Sequence, residues 1–409
     1  MLILFVLANL LNYMDRYVIG AIVEPIGQSL QLNDSQLGRL AFVFLLVYLI
    51  CAPIFGALAE RYNRMKLVSL GIVIWSLATC GAAFAWDYSS LLFFRAAVGV
   101  GEAAYATLGP AMLTDVYKEE ERPRVFTWFF LAIPVGSALG FGLGGVMAGY
   151  FGWRSAFLLA GLPGLFLAWK IYQLPEPVRG ATEVTKDKNE AFTLAKRIGH
   201  ILMNRPWIAC TLSYVGYTFA MGAYSHWAPA FLHRKFSISI ASAGIIFGAV
   251  AVVTGIIGTF LGGKFTDKYQ LKFPDFGLWI SLLTLLVSAP VMWFALESAN
   301  LNISIAFWAL GMFLLFVNTS PVNSLTVSSL SPSQRAMGMA MNIFLIHILG
   351  DAISPEIVGR ISMHLGSGSE TLGKGLLVTL PAIVFSGLAL ILALGQHSKK
   401  KRFEEKSLN

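Results

Sequence analysis

Ionisable side chains stand inside three long apolar runs: Asp15 and Arg16 in the first run, Arg95 and Glu102 in the fourth, His347 and Asp351 in the eleventh. A charge at bilayer depth costs about 3 kcal/mol or more unless it is paired or hydrated, so each is a functional candidate. The bidentate fork of Arg16 suits a phosphate or carboxylate headgroup. A carboxyl poised between burial and a neighbouring arginine can load and release a proton, which makes Asp15 and Glu102 candidate proton carriers. Substrate and proton would then compete for, or share, one charge network. The plainer alternative is a buried structural bridge, such as Arg16–Glu102, that locks the first helix to the fourth. We read Asp15, Arg16 and Glu102 as functional. His347 and Asp351 are four residues apart and can touch on a helix. They are either a proton relay or a packing hydrogen bond beside Pro355.

These groups need a scaffold that holds them at one depth. Of the 409 residues, 56% are hydrophobic and 13% charged, about half the charge of an ordinary soluble domain. Too little polar surface remains to cover a soluble fold of this size. The apolar runs lack the alternation of barrel strands. The expectation is an all-α membrane protein with twelve transmembrane helices, near 1–24, 36–59, 66–86, 90–116, 123–149, 153–173, 206–232, 240–263, 276–296, 302–329, 335–359 and 371–395. This gives a six-helix bundle over 1–173, a linker over 174–205, a second bundle over 206–396 and a tail over 397–409. Within the linker, 191–203 is expected to form an amphipathic surface helix with Phe192, Leu194, Ile198 and Leu202 on its apolar side. At a rise of about 1.5 Å per residue, Asp15, Glu102 and Asp351 lie roughly 14, 18 and 13 Å from the outer ends of their spans, near the midplane.

The loop charges orient the chain. With both termini in the cytoplasm, inner segments hold 22 Lys and Arg residues and outer segments six, as the positive-inside rule requires. The net charge of +8 therefore marks topology and not a nucleic-acid partner. Cys51, Cys80 and Cys210 are scattered through apolar runs and suggest neither disulfides nor a metal site. No signal peptide is recognisable, and the abrupt apolar opening at Met1 leads us to expect a polar tail ahead of it.

The halves look related. Gly56-Ala-Leu-Ala-Glu60-Arg61 closes the second run and Gly263-Lys-Phe-Thr-Asp267-Lys268 the eighth. Parallel six-helix repeats of this kind mark a large transporter class. Gly56 to Lys66 resembles the signature of the major facilitator superfamily between its second and third helices, with Glu60 in place of the usual Asp and Asn63 where Gly is common. Three further segments resemble the spinster-type lipid transporters: Leu11-Asn-Tyr-Met-Asp15-Arg16-Tyr17, Arg95-Ala-Ala-Val-Gly-Val-Gly-Glu102-Ala-Ala-Tyr105 and His347-Ile-Leu-Gly-Asp351-Ala-Ile-Ser-Pro355. The resemblance covers nearly the whole chain. It implies two pseudo-symmetric six-helix bundles, alternating access, and export of lysolipids or phosphorylated sphingoid bases. Short loops suggest a bacterial member.

The resemblance also implies that the first, fourth, seventh and tenth helices line a cavity. Tyr217 and Tyr224, from the stripe Tyr214, Tyr217, Met221 and Tyr224, become candidate contacts for an amphiphile. Asn318 and Asn323 flank Pro321 and become candidate headgroup contacts. Glu60, Arg61, Arg64 and Asp267 are expected to gate the cytoplasmic side. The Gly-rich run from Pro134 to Gly145 superficially matches a phosphate loop, but it lies inside a span. We read it as a close helix interface that rocks.

No cofactor, metal or nucleic acid is implied, and the absence of a converged nucleophile and base speaks against a membrane enzyme. The sequence reading is a monomeric secondary transporter in the bacterial inner membrane. It is expected to carry an anionic or zwitterionic amphiphile, coupled to protons and surrounded by membrane lipids. A small organic anion or drug as substrate, and a passive scramblase or transport-dead sensor, remain as alternatives.

Overall fold

The computed structural model describes residues 1–179, 194–366 and 370–394. Six helices come first: α1 (Leu2–Leu30), α2 (Asp34–Arg61), α3 (Arg64–Ala82), α4 (Tyr88–Val116), α5 (Arg122–Phe151) and α6 (Trp153–Tyr172). After the short α7 (Leu194–Leu202) come α8 (Arg205–Phe236), α9 (Ile240–Tyr269) and α10 (Phe276–Glu297). The last three spans are interrupted. They are α11 (Leu301–Val317) with α12 (Thr319–Ser328), α13 (Pro332–Ile346) with α14 (Ser354–His364), and α15 (Thr371–Leu376) with α16 (Thr379–Ala389). Among the described residues, eleven stretches are long and apolar enough to cross a bilayer. The twelfth expected span, α8, is 32 residues long, but its tyrosines, histidines and basic end dilute its hydropathy.

Local chemistry sets the boundaries. Asn33 accepts from the Gln36 amide while the Gln36 side chain answers the Asn33 amide, a reciprocal cap that starts α2. Asp87 does the same with Ser90 at α4. Hydrogen bonding from the Ser90 hydroxyl, and then from the Ser90 amide, holds the exposed Asp87 carboxyl below its ordinary value. α1 runs six residues past its expected end, through Pro25, and stops at Gln31 in the left-handed conformation. α8 and α14 likewise outlast their expected ends, because the polar residues there are paired and not solvated loop. The tenth span breaks at Asn318, three residues before Pro321, which has no amide to donate.

The described part of the linker helix is Leu194–Leu202, and among its described side chains Ile201 is buried, packed with Trp207 and Leu330. Ile198 is half-buried and Leu202 exposed. Phe192 and the Leu194 side chain lie outside the described residues.

Contacts divide the chain into two compact units. The first holds Met1–Asp187, Ser225–Val252 and Pro355–Leu372. In it α1 packs on α5 and α6, α4 on α2 and α3, and α3 on α6. The α1–α5 seam is close because an added Cβ at Gly136 or Gly140 would sit 2.5 or 2.6 Å from the carbonyl oxygens of Leu10 and Met14. The expected rocking interface is thus, on this face of α5, fixed packing inside one unit. The second unit holds Lys188–Tyr224, Val253–Ser354 and Gly373–Asn409. Its core is α10 against α11 and α16.

Candidate functional site

The first unit buries a polar cluster between α1, α3 and α4. Asp15 has no exposed surface, and one of its oxygens accepts from the Thr79 hydroxyl of α3 at 2.5 Å. Its other oxygen has no partner among the described residues. The next residue, Arg16, points elsewhere, because neighbouring helix positions diverge by about 100°. Arg16 Nη2 donates to Glu102 Oε2 of α4 at 2.9 Å and its Nε to the same oxygen at 3.3 Å. Glu102 is fully buried, whereas the Arg16 side chain keeps 17% of its surface open. The Arg16 guanidinium lies 5.2 Å from the rings of Tyr13 and Tyr48 and 5.3 Å from that of Phe44. These rings shield the cation and leave one polar side.

Arg95 is 1% exposed and rests 4.8 Å over Phe44. Its Nε and Nη1 have no partner among the described residues, and neither does Glu102 Oε1. Unspent donors and acceptors of this kind are costly in low dielectric, about 1–3 kcal/mol each. A folded chain keeps them where they are used, through bridging water or exchange of partners.

In the second unit, His347 Nδ1 lies 2.9 and 3.0 Å from the two Asp351 oxygens. The pair spans a π-helical segment, His347–Asp351, between α13 and α14. The wider turn is supported from α8: the Thr218 hydroxyl donates to the Ile346 carbonyl at 2.8 Å, close against Gly350. π-bulges are frequent at functional sites.

Other expected contacts take different places. The Tyr224 hydroxyl is 2.6 Å from Thr379 Oγ1 and its ring is 4.9 Å from Trp308. It is fully buried and joins α8 to α11 and α16. Tyr217 stands between Tyr214 and Phe316, at 5.5 and 6.5 Å, and is nearly buried. Asn318 is fully buried, and its amide donates to the Leu315 carbonyl. It supports the break between α11 and α12. Asn323 is exposed, so these two asparagines do not form one patch.

At the gating motif, Glu60 and Arg61 are exposed and Arg64 is buried. Arg64 donates to Asp115 at 2.6 Å, to Glu176 at 3.1 Å and to the Pro177 carbonyl at 2.9 Å. Arg179 donates to the Glu60 and Tyr62 carbonyls at 2.7 and 3.1 Å. Arg64 thereby ties the start of the linker to α3 and the end of α4. Burial opposes the charge on Glu176, but the Arg64 and Arg179 contacts outweigh it and hold the carboxyl below its ordinary value. Asp267 is exposed and accepts from Gln270 at 3.4 Å.

Several participants escaped the sequence reading. Thr79, Phe44 and Tyr48 are ordinary residues of apolar runs, and only packing brings them to Asp15 and Arg16. By sequence Arg234 is one of the six basic residues of the outer segments. It instead lies inside α8 and pairs with Glu24 at 2.6 Å and Asp34 at 2.8 Å.

Residues 5–355 match the model of the Major Facilitator Superfamily. The chain is 33% identical over 380 residues to protein spinster homolog 3 of Danio rerio, covering 89% of this chain and 76% of that one. It is also 33% identical over 379 residues to protein spinster homolog 1 of Homo sapiens, covering 87% and 71%. Among solved structures, it superposes on a bacterial homologue of the human lysosomal transporter spinster, in an inward-facing and unoccupied conformation. That match has a TM-score of 0.84 and 22% identity, covering 97% of this chain and 95% of that one. The nucleoside transporter NupG shares the fold at a TM-score of 0.73 and 11% identity. The chain is a multi-pass membrane transporter and not an enzyme, and it belongs to the spinster-type branch of the major facilitator superfamily.

Proposed function

We propose that this secondary transporter moves an anionic or zwitterionic amphiphile, a lysolipid or sphingoid phosphate, and that the movement is coupled to protons. The observation that carries the reading is the Arg16–Glu102 pair: an acid sealed from solvent holds a cation that keeps one open side. A phosphate headgroup reaching that side competes with Glu102 for the guanidinium, and proton uptake by the displaced carboxylate neutralises it. The charge otherwise left alone in the bundle is too costly to persist. Asp15, on the adjacent helix face, is a second acid of the same network. His347–Asp351 is a candidate proton site of the second unit. The rings around Arg16 favour an amphiphile over a small anion, because they extend the polar contact with apolar surface. This reading sets the protein in the plasma membrane, and the loop charges support an orientation with both termini cytoplasmic.

The test uses proteoliposomes and a fluorescent lysophosphatidic acid. Wild type should couple probe movement to proton flux, and lysolipid should compete with the probe better than small organic anions do. Arg16→Ala should lose about tenfold or more in probe affinity, the worth of a charged hydrogen-bonded contact. Normal binding and transport by Arg16→Ala would exclude the headgroup role. Full proton dependence in both Asp15→Asn and Glu102→Gln would exclude the coupling.

A further inference from the structure

An open cavity in the second unit stands apart from the charges described above. Its volume is about 670 Å³, within the size range of about 300–1,000 Å³ that takes an organic ligand. α9 lines it with Phe260, Gly263, Lys264, Asp267 and Lys268, and α12 with Ser320. Backbone contact builds it. A Cβ added at Gly258 would stand 2.8 Å from the Phe313 carbonyl oxygen, and one at Gly262 would press on the Val317 carbonyl. α9 therefore lies directly on the end of α11, up to the break at Asn318. Past the break α12 presents Ser320, and Gly263 admits it, since a Cβ there would sit 2.9 Å from Ser320 Oγ. The Ser320 hydroxyl is half-buried and makes no hydrogen bond among the described residues.

Lys264 and Lys268 are exposed and one turn apart. Among the described residues their ammonium groups meet rings and no carboxylate. Lys264 Nζ lies 5.9 Å from the centroid of Phe260, and Lys268 Nζ 5.2 Å from that of Tyr269. Asp267 is the acid of the lining and accepts from Gln270 at 3.4 Å. With it counted, the lining keeps one positive charge in excess, so an anion is the partner it lacks. The apolar side says which anion. Val253, Ile257 and Phe260 are exposed and run into Lys264 and Lys268 at the three- and four-residue spacing of one helix face. Free phosphate would leave that stripe unused, whereas a lipid phosphate carries acyl chains that cover it. The loop charges set residues 264–275 on the cytoplasmic side, at the level of the inner headgroups. Basic pockets between membrane helices on that side suit anionic lipid headgroups.

We propose that the cavity between α9 and α12 binds an anionic phospholipid of the inner leaflet. Lys264, Lys268 and Ser320 hold its phosphate, and Phe260, Ile257 and Val253 lie along an acyl chain. Asp267 limits the affinity, because it competes with the phosphate for the ammonium groups. The site lies in a different unit from the Arg16–Glu102 pair and is independent of the reading of substrate and coupling.

The full-length protein in detergent is titrated with a phosphatidylglycerol that carries a diazirine near its headgroup. It is then irradiated and mapped by peptide mass spectrometry. Wild type should be labelled within 259–268 and at the start of α12. Unlabelled phosphatidylglycerol should suppress the label, and phosphatidylcholine should not. Lys264→Gln and Lys268→Gln should each weaken labelling here about fivefold, the worth of one basic side chain at an anionic membrane surface. Lys264→Arg should keep the label, and Asp267→Asn should strengthen it. Lys272, exposed in the loop after α9 and outside the cavity, is the control, and Lys272→Gln should change nothing. Equal labelling in wild type and in the double variant Lys264→Gln, Lys268→Gln overturns the site. So does a fivefold loss in Lys272→Gln, which would mark diffuse surface charge. Suppression by inorganic phosphate would assign the cavity to a soluble anion. Stronger suppression by lysophosphatidic acid than by phosphatidylglycerol would assign it to the transported amphiphile. Either result overturns the phospholipid. Should the glutamine variants fail to fold, Asp267→Asn decides, and a label no stronger than that of wild type overturns the proposal.

Discussion

Asp15 and Arg16 are sequence neighbours that the helix sends to different tasks. Asp15 faces α3 and depends on one hydroxyl, that of Thr79. Arg16 faces α4 and its aromatic ring set. Removing the hydroxyl is a direct measure of how much charge Asp15 carries. Thr79→Val is nearly isosteric, and with an ionised Asp15 it should destabilise the protein by about 1–3 kcal/mol, the cost of a buried acceptor left unmade. Thermal unfolding in detergent reads this, and an unchanged melting temperature would mean that Asp15 does not rely on Thr79. The presence of Asp15, Arg16, Arg95 and Glu102 was legible from their rarity in apolar runs. Their pairing was not. Thr79 carries no signal in a membrane sequence, because threonines there commonly bond their own helix.

At the scale of elements, the chain uses close approach in one place and polar breaks in another. Gly136 and Gly140 let α5 touch the backbone of α1, the helix that carries Asp15 and Arg16. Gly140→Ala puts a methyl against the Met14 carbonyl, beside the site. It should cost about 1–3 kcal/mol, the usual penalty for overpacking. It should also weaken probe binding, read by fluorescence titration; full stability and binding would show that α1 shifts without consequence. The glycine spacing was visible in the sequence, but which helix it faces was not, since α5 is apolar on every side. The breaks were partly legible. Pro321 marks the tenth span, whereas the π-segment at His347 depends on Thr218 of another helix.

At the scale of the molecule, the compact units do not run parallel to the sequence halves. The ends of α8 and α14 lie in the first unit, held by Arg234, Trp227 and Glu356. These ion pairs are partly exposed, so salt screens them over about 10 Å or less. Replacing Arg39 and Arg234 together by alanine should raise amide exchange across 355–364 about tenfold or more, as local opening becomes easier. High salt should do the same to wild type in smaller measure. Unchanged exchange in the double variant would show that apolar packing alone holds this end.

The sequence by itself determined the class of protein, the number of spans, their orientation signal and the few charges at bilayer depth. These follow from composition and one-dimensional pattern: a bilayer penalises each charge individually, so the exceptions stand out. The tertiary structure alone decided that Arg16 pairs with Glu102, that Tyr224 and Asn318 are buried with internal hydrogen bonds, and that Arg234 bridges Glu24 and Asp34. Facing directions in helices apolar all round are set by neighbours and not by periodicity. Partners drawn from different helices are therefore fixed only when the bundle closes around them.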